Sequence, residues 1–221
     1  MSRRRTLVFV CASLVAYLAA CSTVIPGTPT WPGATLEKVV LTAGDFPTGV
    51  RYERITFAPG RPDGAGGPPA MLSKPPGCTD ALTNVIAKSA ERGPGSAVQY
   101  SATYDGARVV MTVLSWQLDL DALAQTADRC QEFNTYFDPV SPGIPMTTTK
   151  LPSEDGTLVY QQTMHLNGDQ NSMYMAFANV GSMAMFGLTL PMTNPEISVK
   201  AALPQTFLDV VAKQAERIAA A

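Results

Sequence analysis

Imidazole is nearly absent from this chain. His165 is the sole histidine in 221 residues, so a histidine-rich metal site is excluded. Any serine-hydrolase triad would have to use His165 as its base. No G-x-S-x-G elbow accompanies it, and Gly93-Pro94-Gly95-Ser96 reads as a loop. A phosphate loop, a dinucleotide fingerprint and zinc-ligand spacing are all missing. The four cysteines contain no C-x-x-C redox pair. No apolar run reaches the ~20 residues that a bilayer-spanning helix needs. These absences point to a non-enzymatic protein with no metal and no cofactor. A hydrolase built on His165 is kept as an alternative.

What is present begins at the N-terminus. Arg3, Arg4 and Arg5 form a positive region, Thr6 to Tyr17 an apolar run, and Leu18-Ala19-Ala20-Cys21 a lipobox. The run suits a cleaved signal peptide over residues 1–20. Cys21 would then carry a diacylglycerol thioether and become the new N-terminus, tethered to the extracytoplasmic face of the cell membrane. Cleavage leaves 201 residues, enough for one substantial core. It also leaves 13 basic against 18 acidic side chains, a net charge of −5 with no Lys/Arg cluster. Such a chain has no electrostatic reason to bind nucleic acid. Its membrane link is the lipid.

Two cysteines remain on the oxidising side. Cys78 and Cys130 are expected to form a disulfide, since two lone cysteines make a poor zinc site.

Residues 21–34 read as the lipidated cysteine and a Pro-rich tether. Pro26, Pro29 and Pro32 suit polyproline II, with a reach of roughly 35 Å. Residues 35–221 read as one α+β domain. Val50 to Phe57 is a candidate strand and Val39 to Thr42 a weaker one. Ala58 to Gly77 is a Pro/Gly-rich segment. Thr79 to Arg92 reads as a helix from Leu82, Val85, Ile86 and Ala90.

Val98–Tyr104 and Ala107–Trp116 read as a hairpin over Asp105-Gly106, a type I′ signal. That register pairs Val98, Tyr100, Ala102 and Tyr104 with Val113, Met111, Val109 and Ala107, leaving Gln99, Ser101 and Thr103 on a polar face. Asp119 caps a second helix to about Phe133. Ile144–Leu151, Thr157–Leu166, Ser172–Val180 and Ser182–Leu190 follow as strands, the last three as a meander. Pro204 starts a final helix with Phe207, Leu208, Val211, Ala215 and Ile218 as its apolar stripe. The expectation is an antiparallel sheet of about five to seven strands packed with three helices and one disulfide.

The meander is apolar on both faces. Met173, Met175 and Phe177 share one face of their strand, and Met183 and Met185 share one face of the next. A solvated antiparallel sheet would show one polar face, so this one is covered twice. Core packing is the default, and an apolar ligand could take part of the cover, because the methionine thioether is flexible and polarizable. Met173, Met175, Phe177, Met183 and Met185 are therefore the candidate ligand-binding residues. A copper(I) site has no Met-x-x-Met or histidine-rich cluster to support it.

The Arg-rich start, the lipobox, the Pro/Thr spacer, Pro75-Pro76-Gly77-Cys78 opening a helix, and Cys130 after Ala127-Asp128-Arg129 carry a resemblance. The chain resembles exported actinobacterial, especially mycobacterial, lipoproteins of unknown function. It also resembles the extracellular sensor domain of PknH-type serine/threonine kinases. That resemblance implies a sensor-like α+β domain acting as a binding or sensing module, for a hydrophobic small molecule or an envelope protein. Those sensors carry two disulfides, and here one pair is available, with no kinase or transmembrane segment.

Intact-mass analysis of the chain expressed in a lipoprotein-processing bacterium will show a start at diacylated Cys21, and Cys21→Ala will block processing. A wild-type product beginning at Met1 would overturn the reading.

Overall fold

The computed structural model describes residues 32–56, 71–83, 95–154 and 156–221. Its centre is a nine-stranded antiparallel sheet. In chain order the strands are β1 (Arg51–Ile55), β2 (Leu72–Lys74), β3 (Ala97–Tyr104), β4 (Gly106–Leu114), β5 (Glu132–Tyr136), β6 (Ile144–Leu151), β7 (Thr157–Leu166), β8 (Asp169–Val180) and β9 (Met183–Met192). Their spatial order is β1-β3-β4-β9-β8-β7-β6-β5-β2. The described helices are α1 (Pro32–Val39), a 3-10 turn (Ala43–Asp45), α2 (Leu120–Arg129) and α3 (Gln205–Ala219). The α+β class is as expected, but the sheet exceeds the five to seven strands that the sequence suggested, and the four helical elements among the described residues differ from the three helices expected.

Several differences have local causes. The triple-proline spacer ends early, because Pro32 opens α1, where the missing N–H and fixed φ of proline suit a first helical turn. Leu36 and Val39 then bury completely. Val39 to Thr42 is not a strand, although Val40 and Leu41 are core residues. The second helix stops at Arg129 rather than near Phe133. Cys130 leaves the helical region, and Glu132–Tyr136 pairs with β6 as a strand. Strand β2 lies inside the expected Pro/Gly segment, pairing Leu72–Lys74 with β5. Of the helix expected at Thr79–Arg92, residues 79 and 80 are a bend, residues 81–83 are helical, and residues 84–92 lie outside the described residues.

The β3–β4 register is the expected one, with Tyr100 opposite Met111 and Ala102 opposite Val109. Its turn is different. Gly106 has a positive φ of 104° but Asp105 does not, so type I′ is excluded. Asp105 is instead bridged to the chain beside it, its N–H donating to Val199 O (2.9 Å) and its O accepting from Ala201 N (2.8 Å). Between β7 and β8, both Asn167 (φ 54°) and Gly168 (φ 89°) are left-handed, the type I′ signature.

Both faces of the sheet are covered. On one, α1 and α3 seat Leu36, Val39, Phe207, Val211 and Ile218 on the apolar rows of β3, β4, β8 and β9. Gly187 permits this contact, since a Cβ there would stand 2.8 Å from Met111 Cε and 3.1 Å from Phe207. On the other face, α2 brings Leu123 and Ala127 against Tyr160, Phe177 and Phe186, with Trp116 and Leu118 beside them. Ser101 and Thr103 lie on this second face and are buried rather than solvated.

Two side-chain amides fasten the covering segments. Gln214 of α3, fully buried, donates to Val39 O (2.8 Å) and accepts from Leu41 N (3.2 Å). Asn179 of β8 accepts from Leu118 N (2.8 Å) and donates to Leu118 O (2.9 Å). The buried stripe of α3 is accordingly Phe207, Val210, Val211, Gln214 and Ile218, rotated from the expected one to include a glutamine.

Asp45 closes the α1/α3 layer by an ion pair to Arg217 and a backbone contact from its O to Lys213. Burial works to raise its carboxyl. Hydrogen bonds from the Thr42 N–H (2.7 Å) and hydroxyl (2.9 Å), with Arg217 and Lys213 nearby, outweigh burial and hold the carboxyl below the usual carboxylate range. That stabilisation is complete above the unfolded pKa of about 3.9 and fades as pH falls through the lower folded value.

Gln214→Ala will leave a buried N–H and a buried carbonyl without partners, at a cost of about 3 kcal/mol in denaturant unfolding. A loss below about 0.5 kcal/mol would mean that Gln214 does not hold the segment.

Candidate functional site

The disulfide comes first, because it positions one edge of the sheet. Cys78 and Cys130 are bonded, with S–S 2.05 Å and Cα–Cα 5.5 Å, across a separation of 52 residues. Both are buried, with Ala81 and Phe133 against them and Met146 packed on the cluster. Arg129 donates to Pro76 O (3.2 Å), and the Thr79 and Thr135 hydroxyls meet at 3.1 Å. The bridge therefore ties the segment before the Leu82 turn to the junction of α2 and β5. Cys21 lies outside the described residues.

The meander candidates do not converge. Within β8, Met173, Met175 and Phe177 face α2. In β9, Met183 and Met185 stand opposite Val180 and Ala178, and so face α1 and α3. Met175, Phe177 and Met185 are core residues at 4%, 0% and 0% exposure. Met173 and Met183 are half-buried. One side chain of the five, Met173, is both on the α2 face and accessible.

Strands β6 and β7 supply its neighbours, through residues that the sequence reading did not single out. Met146 of β6 stands directly opposite Met164 of β7. Met164 stands opposite Asn171 and Gln162 opposite Met173, which puts Met164 one diagonal step from Met173, within reach of long side chains. Leu188 of β9 pairs with Met175 on one side and with Val110 of β4 on the other. Leu190 follows at 41% exposure. The result is an apolar strip across five adjacent strands, at the end of the α2 face that holds the Asn167–Gly168 turn. Met164 and Met173 belong to none of the three buried clusters of described residues. Within-strand alternation gives each face, but which faces of separate strands coincide depends on register, and that is why Met146 and Met164 escaped notice.

Arg108 lies on the same face. It stands opposite Leu190 and Thr103, donates from Nη2 to Ser101 Oγ (3.1 Å) and has Glu53 at 3.6 Å.

His165 lies on β7 opposite Gln170, on the other face from Met164. Among the described residues it has no hydrogen bond or ion pair to a serine or a carboxylate. No group of three His, Cys, Asp or Glu side chains among them could hold a metal ion, and none of the described helices is long and apolar enough to cross a membrane. An open cleft of about 560 Å³ lies elsewhere, between Leu120 of α2 and the β6–β7 connection. None of its lining comes from β8 or β9.

No family model matches the chain, and no curated protein is significantly similar to it. An uncharacterised protein of Mycobacterium smegmatis (an Rv0999 ortholog), known from an X-ray structure, is similar in fold. The two share 12% identity at a TM-score of 0.52, over 88% of this chain and 98% of that one. At that identity the likeness is one of fold.

Closing a loop of this length restricts the unfolded chain by about 4 kcal/mol. Cys78→Ser/Cys130→Ser, or reductant, will lower the melting temperature by roughly 10 °C in a domain of this size. Equal melting with and without reductant would show the thiols unpaired in solution.

Proposed function

We propose that this chain is an exported, lipid-anchored cell-envelope protein that works as a non-enzymatic binding or sensing module for an apolar ligand. Acylated Cys21 would hold it at the extracytoplasmic face of the membrane. The observation that carries the ligand reading is the strip of Met146, Met164 and Met173 continued by Leu188 and Leu190. Met164 and Met173 lie outside the buried clusters of described residues and Met146 lies at the margin of one; their unbranched thioethers form an adaptable apolar surface, and exposed apolar patches of this kind mark binding sites. The resemblance to mycobacterial lipoproteins and PknH-type sensor domains points the same way.

A second reading, an interaction or scaffold protein, is favoured by one feature. The β5–β6 turn holds Phe137 and Val140 at 75% and 94% exposure. The Asp138 carboxylate accepts from Val140 N (2.9 Å) and Ser141 N (2.8 Å), fixing the turn. Two apolar side chains on a rigid turn suit a protein partner. Cross-linking in the envelope separates this reading from the first.

A neutral fluorescent probe, N-phenyl-1-naphthylamine, reports on the strip. Met164→Lys will weaken its binding at least tenfold with little change in melting temperature, while Val140→Lys will leave binding unaltered. Equal probe binding in wild type and Met164→Lys would remove the strip as the site.

A further inference from the structure

The apolar strip ends at an arginine whose donors are incompletely used. Among the described residues, both polar contacts of Arg108 involve Nη2, and its buried Nε has no hydrogen-bond partner. The Glu53 carboxylate at 3.6 Å is 68% exposed, so it leaves much of the arginine charge unanswered. Ser101 and Thr103, both buried, place hydroxyls beside it on β3.

From Arg108 on β4 to Met146 on β6 the strip crosses β9, β8 and β7. Four strand intervals span about 19 Å. One end of the surface is cationic, and the rest is mainly apolar, with Gln162 and Asn171 as polar side chains among the methionines.

We infer that the ligand is a single-chain amphiphile of the long-chain carboxylate class, its head group on the Arg108 guanidinium and its tail along Leu190, Leu188, Met173, Met164 and Met146. The inference rests on the apolar-ligand reading and adds the ligand's charge and polarity. A carboxylate complements the charge that Glu53 leaves unanswered, and the partly exposed guanidinium can donate to it from its Nη groups. A neutral alcohol of equal length could use the strip but not the charge. The direction is fixed too, because among the described residues the strip from Arg108 to Met146 holds no second cation.

Palmitate and hexadecanol, each titrated against the full-length protein with bound N-phenyl-1-naphthylamine, test this directly. Palmitate should displace the probe at about tenfold lower concentration than the alcohol, the scale of one charge-assisted contact. Arg108→Gln should erase that preference while leaving hexadecanol displacement unchanged, and Arg108→Lys should restore part of it. Circular dichroism melting checks that the variants are folded. Equal displacement by acid and alcohol in wild type, or a preference that survives Arg108→Gln, overturns the head-group inference alone. Failure of both amphiphiles to displace the probe overturns the apolar-ligand reading with it.

Discussion

The architecture depends on a sheet that is apolar on both faces. Strand β8 shows the constraint plainly. Ala176 and Ala178 point one way, Met175 and Phe177 the other, and all four are buried. Leaving either face in water would expose an apolar area too large for a soluble domain. The chain must therefore carry cover to both sides, and it uses α1 with α3 on one and α2 on the other. The cover is not held by apolar contact alone. Gln214 and Asn179 each offer a donor and an acceptor to irregular backbone that no strand or helix satisfies. Buried backbone polar groups need such partners, and the carboxamide is the side chain that supplies both at once.

Much of this was legible in the residues. Alternation placed β6 and β7 at their observed limits, and the pattern of β3 and β4 fixed their register. The cysteine arithmetic yielded the bridge. What escaped was set by context. A short strand such as β2 has too few residues to display a period. The segment Glu132–Tyr136 looked like the tail of a helix because Cys130 continues the stripe of Leu123 and Ala127. Pro32 looked like spacer because its neighbours Pro26 and Pro29 do. Gln214 was passed over as polar, although it sits at helical spacing between Val210, Val211 and Ile218.

The candidate site shows the same division. Alternation correctly put Met173 with Met175 and Met183 with Met185, but those pairs belong to opposite faces. Register, a property of the assembled sheet, decides that Met173 keeps company with Met164 and Met146 instead. Arg108 was hidden for a related reason. It lies in a strand otherwise rich in valine, and its neighbours Ser101 and Leu190 come from two different strands. Met146 also touches the Cys78–Cys130 cluster, so the staple and the strip share a wall.

The Gln214 clamp has a consequence for the order of assembly. Val39 and Leu41 are made early in synthesis, and their seat lies on the last helix, more than 170 residues later. The first segment can settle only after the last has emerged. A chain cut short before α3 would lack both the seat and the lid over one side of the sheet. Completion is thus tied to the arrival of the C-terminus, which keeps one side of the sheet uncovered until the last helix has been made.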